Sequence, residues 1–98
     1  MHSITINDFN ILSDNKKKQI LVDAHKVTER KIGQMKFEIF KINDFFVEVV
    51  TDFSYRVNRQ IKSYIYKDIP TVYAADVLRY NINTTTMAPQ TFQVEYLH

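Results

Sequence analysis

The histidines of this chain are the first residues to consider for chemistry, since imidazole binds metals and transfers protons near neutral pH. They are His2, His25 and His98, and none has a second histidine two or four residues away. His25 and Glu29 are four residues apart, which on a helix would place both side chains on one face for metal binding or acid–base chemistry. No further ligand lies beside this pair, so we predict no metal site and no cofactor.

Two glutamates on neighbouring predicted strands are the other candidates for acid–base chemistry. Glu38 and Glu48 would lie side by side on one sheet face if the turn at residues 43–44 set that register. Three lysines are expected to project from the same sheet and to pair with these carboxylates: Lys36, Lys41 and Lys62. Ion pairing is therefore the preferred interpretation, and we predict that the protein is not an enzyme.

Several other kinds of site are excluded by what the sequence lacks. The chain has no cysteine, which excludes disulfides, thiolate metal sites and cysteine nucleophiles. Its single glycine, Gly33, excludes the glycine-rich loops that bind phosphates. Ser13, Ser54 and Ser63 are not flanked by glycines as a hydrolase nucleophile is, so they give no sign of nucleophilic catalysis.

Length and charge describe one domain with a weak electrostatic preference. Ninety-eight residues, 45% of them hydrophobic, suffice for one modest core, so we expect a single domain over residues 1–98. The 13 basic and 11 acidic residues give a formal charge of +2, which permits nucleic-acid binding but does not favour it. The densest apolar stretch, residues 44–50, is too short to cross a membrane, and the chain starts without a signal-peptide pattern. We therefore expect a soluble, cytoplasmic protein with no membrane partner.

An amphipathic helix is predicted over about residues 14–31, after an opening segment of about residues 1–12. Residues 13–15, Ser-Asp-Asn, are typical of a helix N-cap, and Gly33 lies where helices often end in a left-handed residue. Apolar residues recur at helical spacing along this segment: Ile20, Leu21, Ala24, Val27 and Ile32.

A change to a two-residue period after residue 34 predicts a three-stranded antiparallel meander. The strands are predicted from residue 35 to 40, from 45 to 51 and from about 59 to 67, with a tight turn at Asn43-Asp44. The short connections favour antiparallel pairing of successive strands.

The rest of the chain predicts a short second helix and a C-terminal extended segment. Asp68 and Pro70 suit the start of a helix over about residues 70–80. Residues 81–98 are predicted as a loop followed by a fourth strand or an arm, because apolar and polar residues alternate over 91–96. The predicted fold class is therefore α+β, with an N-terminal amphipathic helix, a three-stranded antiparallel meander, a short second helix and this C-terminal strand or arm.

Three short segments resemble small, uncharacterised bacterial proteins of α-β-β-β-α order. They are residues 8–10 before the first helix, residues 45–49 in the second strand and residues 58–61 at the start of the third. The resemblance covers about residues 7–77 and implies the order of the elements without implying an activity. Gly33 lies later than the glycine that usually ends the first helix of such proteins.

The sheet face that the helices leave uncovered is the predicted contact surface. It is expected to carry five apolar residues among charged ones: Phe40, Phe46, Val50, Tyr64 and Tyr66. Contiguous exposed apolar area marks an interface in a soluble protein, so we predict a non-enzymatic interaction module, either a homodimer or bound to a protein partner. In the alternative arrangement, the C-terminal arm or the second helix covers this face within one chain.

Single-stranded nucleic acid is the other ligand considered for the same face. The aromatic residues would stack on bases, and four cations would bind phosphates: Lys36, Lys41, Arg59 and Lys62. Glu38 and Glu48 lie within this predicted surface and would repel a phosphate backbone. We therefore predict a protein contact in preference to nucleic acid.

Overall fold

The computed structural model describes residues 3–82, which form a four-stranded antiparallel sheet with helices on both faces. In chain order the elements are α1 (Ile6–Asn10), α2 (Asp14–Val22), β1 (His25–Ile32), β2 (Met35–Ile42), β3 (Phe45–Asp52), β4 (Asn58–Ile65) and α3 (residues 74–82). Two short 3-10 turns, Tyr66–Asp68 and Thr71–Tyr73, connect β4 to α3. The strand order in the sheet is β1-β2-β3-β4. The α+β class and the antiparallel sheet are thus confirmed.

The helix predicted over residues 14–31 is wrong in its second half. α2 ends at Val22, and the residues after it form β1, which pairs with β2. The apolar positions at helical spacing belong to two different elements, and pairing with β2 provides the backbone hydrogen bonds of β1. Gly33 ends no helix, because with a φ of 58° it is the first residue of the two-residue turn between β1 and β2. The meander therefore has four strands in place of three.

The opening segment contains a helix that the sequence analysis did not predict. The Thr5 hydroxyl accepts a hydrogen bond from the Asp8 amide at 3.1 Å, and the Asp8 carboxylate accepts one from the Thr5 amide at 3.0 Å. This reciprocal capping box stabilises α1, which has only five residues. The helix places Phe9 in the core, with its ring centroid 5.7 Å from that of Phe45.

The other predicted elements agree with the structure to within a few residues. The three predicted strands correspond to β2, β3 and β4, and Asn43-Asp44 is the turn between β2 and β3. Ser13 is the N-cap of α2, as its position suggested. The predicted second helix corresponds to the second 3-10 turn and α3. The predicted C-terminal strand or arm lies outside the described residues.

The two faces of the sheet bury separate cores. On the face under α1 and α2, called here the α1/α2 face, six buried residues form one cluster: Phe9, Leu21, Ile42, Phe45, Val47 and Val49. The opposite face, called the α3 face, packs with α3 and the turn before it in a second cluster: Ile39, Phe46, Tyr73 and Val77. Each face is therefore covered, in part, by a helix of the same chain.

Candidate interaction surface

The five residues predicted to share one uncovered face are divided between the two faces. Phe40 pairs with Val47 and lies on the α1/α2 face, whereas Phe46 pairs with Tyr64 and lies on the α3 face. Phe46 is only 1% exposed, because α3 packs on it. Each pair in the β2–β3 register joins an even-numbered residue to an odd-numbered one. Even-numbered residues of the two strands therefore point to opposite faces. The prediction that these five residues form one exposed face is therefore wrong.

The other three residues of that set lie on or beside the α3 face. Val50 and Tyr64 are half-buried there. Tyr66 follows β4, is 50% exposed, and has its ring centroid 6.2 Å from that of Phe46. These aromatic residues are thus continuous with the core under α3, and they form only a small open surface.

Glu38 and Glu48, considered together as an acid–base pair, also lie on opposite faces. Glu38 stands opposite Val49 in the β2–β3 register, and Glu48 stands opposite Ile39. Register partners share a face, while neighbours along one strand alternate between faces. The two carboxylates therefore point away from each other, and the pair is not formed.

Two lysines pair with Glu38, but only one of them, Lys36, belongs to the set expected from the sequence. Lys26 Nζ lies 3.0 Å from Glu38 Oε2 and Lys36 Nζ lies 3.7 Å from the same atom. Lys26 also contacts Glu29 at 2.6 Å, and the hydrogen bonds to Glu29 and Glu38 raise the pKa of Lys26. Lys41 lies on the other face, where its Nζ is 5.2 Å from the centre of the Phe46 ring. This part of the α1/α2 face is therefore a network of paired charges around the largely buried Glu38.

Glu48 is bound by tyrosines. The Tyr73 hydroxyl donates to Glu48 Oε2 at 2.6 Å, and the Tyr64 hydroxyl donates to Oε1 at 3.4 Å. Burial, the hydrogen bond to Glu48 and the charge of Glu48 raise the pKa of Tyr73 well above its ordinary value. Burial and the charge of Glu48 raise the pKa of Tyr64 as well. The glutamate thus links β3, β4 and the turn that leads into α3.

A second polar contact holds α3 against β1. Asp76 Oδ2 accepts hydrogen bonds from the Thr28 hydroxyl at 3.0 Å and from Arg30 at 2.8 Å. The Thr28 hydrogen bond, followed by that of Arg30, lowers the pKa of Asp76. Arg30 also donates to the Val72 carbonyl at 3.3 Å. The α3 face is therefore closed by specific contacts within the chain.

The four cations proposed for nucleic-acid binding do not form one patch. Lys36 and Arg59 flank Thr51 on the α1/α2 face. Lys41 and Lys62 lie on the α3 face. A single strand of nucleic acid on either face would meet only one of these pairs.

His25 and Glu29, considered as a helical pair, lie in β1. A register shift between Lys26 and Thr28 interrupts the strand, so His25 pairs with Lys41 while Glu29 pairs with Glu38 on the opposite face. The His25 ring lies 5.0 Å from that of Tyr80. Within residues 3–82 there is no group of three or more acidic or histidine side chains that could hold a metal ion.

An apolar groove of about 250 Å³ lies on the α1/α2 face, between α2 and the strands β2, β3 and β4. Five apolar side chains line it: Leu21, Val22, Phe40, Val49 and Ile61. Lys18, Arg59 and Glu38 lie around the same groove. The groove thus extends to β4, which forms one border of the sheet.

The outer edge of β4 is the other open feature of this region. In the part of the chain that the structure describes, β4 pairs only with β3, and the register from Phe45–Ile65 to Asp52–Asn58 has no shift. Neither a bulge nor a proline interrupts its eight residues. α1 reaches β4 through a hydrogen bond from Ser63 to Asn10, which lies on the α1/α2 face. Among residues 3–82, this edge therefore offers a regular row of backbone donors and acceptors without a partner strand.

The opposite edge of the sheet is built differently. β1 contains the register shift at Lys26 and Thr28, which marks a bulge. Charged side chains dominate one side of the strand, and α3 is tied to the other side through Asp76. Bulges and charges are devices that prevent a strand edge from pairing. The contrast singles out β4, with Ile61 near its centre, as a candidate contact edge. The strand was predicted from the sequence, but the contact role of its edge was not. The signal for that role was the position of a regular strand at the end of the meander.

Comparison of the chain with protein-family models, curated proteins and solved structures gives no significant match. The resemblance to small bacterial proteins therefore stays a prediction. Among the helices of residues 3–82, none has the length and apolar character needed to cross a membrane.

Proposed function

We propose that this protein is a non-enzymatic interaction module that forms a homodimer by pairing the free β4 edges of two copies. The observation that carries the proposal is the outer position of β4, an eight-residue strand without a bulge or a proline. An exposed edge of this kind is a template for a further strand, and natural proteins protect most such edges. Isologous pairing around a twofold axis is the commonest way in which identical chains associate.

The residues of β4 favour one register for this pairing. When two identical strands pair around a twofold axis perpendicular to the sheet, one residue faces its own copy, and the axis passes between these two residues. With the axis at Ile61, two isoleucine side chains meet. An axis at Lys62 would bring two lysines together, which is unfavourable. An axis at Ser63 would crowd a side chain that already bonds Asn10 of α1.

The charged residues of β4 are compatible with the register centred on Ile61. Arg59 of one copy then faces Ser63 of the other, and Lys62 faces Gln60, so no like charges stand opposite each other. Ile61 also lines the apolar groove. The dimer would therefore bring the two grooves side by side on the α1/α2 face and remove apolar surface from water.

Substitution of Gln60 tests the proposal, because this exposed residue faces Lys62 of the other copy. The twofold axis makes this pair occur twice in the dimer. We expect Gln60→Glu to tighten the dimer and Gln60→Lys to weaken it, each by about 2- to 30-fold in the dissociation constant. Sedimentation equilibrium of the full chain measures this constant. The wild-type mass should rise with concentration from 11.7 kDa toward twice that value.

The same charge changes at Gln34 are the matched control. Gln34 is an exposed residue in the β1–β2 turn, away from β4, so Gln34→Glu and Gln34→Lys should leave the dissociation constant unchanged. Adding Lys62→Glu to Gln60→Lys should restore the dimer, since opposite charges then face each other. A mass of one chain at every concentration, or equal effects at Gln60 and Gln34, would contradict the proposal.

A further inference from the structure

One end of the sheet exposes four apolar side chains, called here the exposed end. Their exposed fractions are 64% for Ile32, 45% for Phe53, 86% for Tyr55 and 59% for Val57. Ile32 precedes the β1–β2 turn, and the other three lie in the loop between β3 and β4. In an antiparallel meander these two connections lie at the same end of the sheet. The exposed end is therefore one surface contributed by two segments.

Hydrogen bonds fix the base of this surface. The Phe53 amide donates to the Gln34 carbonyl at 2.9 Å, which joins the loop to the β1–β2 turn. Asp52 Oδ1 accepts from the Ser54 amide at 2.8 Å and from the Ser54 hydroxyl at 2.7 Å. At the opposite end of the sheet, the Asn43 side chain donates to the Ile4 carbonyl beside α1, so that end is in contact with the N-terminal segment.

The charges around the exposed end are predominantly positive. Residues 53–59 contain two cations, Arg56 and Arg59, and no acidic residue. The Lys31 side chain, next to Ile32, is 71% exposed, and its Nζ lies 4.0 Å from Glu29 Oε2. The nearest acidic groups in sequence are already engaged, Asp52 with Ser54 and Glu29 with Lys26. The exposed end thus combines apolar side chains at its tip with cations at its flanks.

We propose that the exposed end binds the surface of anionic lipid membranes, with its apolar side chains inserted among the headgroups and its cations bound to lipid phosphates. Aromatic side chains favour the interfacial region, and basic residues near an anionic leaflet each strengthen binding by about fivefold. The two aliphatic residues have no π-face for stacking on nucleic-acid bases, so a lipid surface fits the whole set better than a single-stranded nucleic acid does. This mode of binding is peripheral and needs no membrane-spanning helix.

Cosedimentation of the full chain with vesicles tests the proposal. The vesicles are phosphatidylcholine alone or phosphatidylcholine with about 30% phosphatidylserine. We expect wild-type protein to pellet with the anionic vesicles, and the double variant Phe53→Ser/Tyr55→Ser to bind at least about 10-fold more weakly. Arg56→Glu should weaken binding by about 10- to 30-fold, because it replaces a cation with an anion.

Two other exposed apolar residues provide the matched control. Ile11 is 84% exposed and Leu78 is 51% exposed, and both lie outside the exposed end. The double variant Ile11→Ser/Leu78→Ser should therefore retain wild-type binding to the anionic vesicles. Circular dichroism of each variant checks that the fold is intact.

Three outcomes would overturn the proposal. The first is wild-type protein that stays in the supernatant with anionic vesicles, whether or not it shifts a labelled oligonucleotide. The second is equal pelleting with neutral and anionic vesicles. The third is an equal loss of binding in the variants of the exposed end and in the control variant.

Discussion

At the scale of single residues, the contact between Tyr73 and Glu48 has the clearest consequence for pH. The Tyr73 side chain is 1% exposed and donates to Glu48 at 2.6 Å. Its pKa in the folded protein is raised above the ordinary value near 10 by burial first and by the hydrogen bond second. An unfolded chain releases the proton near pH 10, whereas the folded chain retains it. The stability that this tyrosine contributes is therefore fully present below about pH 10 and is lost as pH rises above it.

We expect the free energy of unfolding to fall as the pH is raised above about 10, and Tyr73→Phe to reduce that slope. The variant should also lower the free energy of unfolding at pH 7 by about 1–2 kcal/mol, because Glu48 loses a hydrogen-bond donor. Urea denaturation at several pH values measures both effects. Tyr55→Phe, at a tyrosine that is 86% exposed, is the control and should leave the slope unchanged. Identical pH slopes in wild type and Tyr73→Phe would contradict this role.

At the scale of elements, the turn between β1 and β2 depends on the backbone conformation of one residue. Gly33 has a φ of 58°, in the left-handed region, and a Cβ added there would meet nothing within 4 Å. The cost of a side chain at this position is therefore backbone strain alone, about 1–2 kcal/mol for an ordinary L-residue.

We expect Gly33→Ala to lower the free energy of unfolding by about 1 kcal/mol and Gly33→Asn to lower it by less, because asparagine tolerates the left-handed region. Urea denaturation followed by circular dichroism measures the difference, since the chain has no tryptophan whose fluorescence could report unfolding. Equal stability of Gly33→Ala and wild type would show that the turn relaxes without strain.

The elements that the sequence predicted well are those with a local signal. The alternation of apolar residues predicted β2 and β3, and Asn43-Asp44 marked the turn between them. β1 was predicted as helix because Val27 continues the apolar spacing of α2, and only its pairing with β2 reveals a strand. The faces of the sheet were assigned wrongly for a related reason. Which side chains share a face depends on the register between strands, and one residue of shift reverses every side chain.

At the scale of the whole molecule, the described helices cover parts of both sheet faces and leave the edges and ends as the main open surfaces. The β1 edge carries a bulge, whereas the β4 edge is regular. One end of the sheet contacts the segment before α1, and the other exposes Tyr55 and its neighbours. In the proposed dimer the two β4 strands run antiparallel, so the two exposed ends would lie at opposite extremities. Phe53 and Tyr55 therefore stay clear of the paired strands in the dimer, whereas Arg59 of β4 belongs to both proposed surfaces.

Disulfide cross-linking of a single introduced cysteine tests the proposed dimer most directly, because the chain has no cysteine of its own. In the register centred on Ile61, the two Ile61 residues face each other at a Cα separation of about 4.5–5.5 Å, which suits a disulfide. Ile65 lies on the same face of β4, but the two copies of this residue would be about 26 Å apart along the paired strands. We expect Ile61→Cys to form a covalent dimer under mild oxidation and Ile65→Cys to remain a single chain. Equal cross-linking of the two variants, or none at Ile61→Cys, would contradict pairing of two chains through β4.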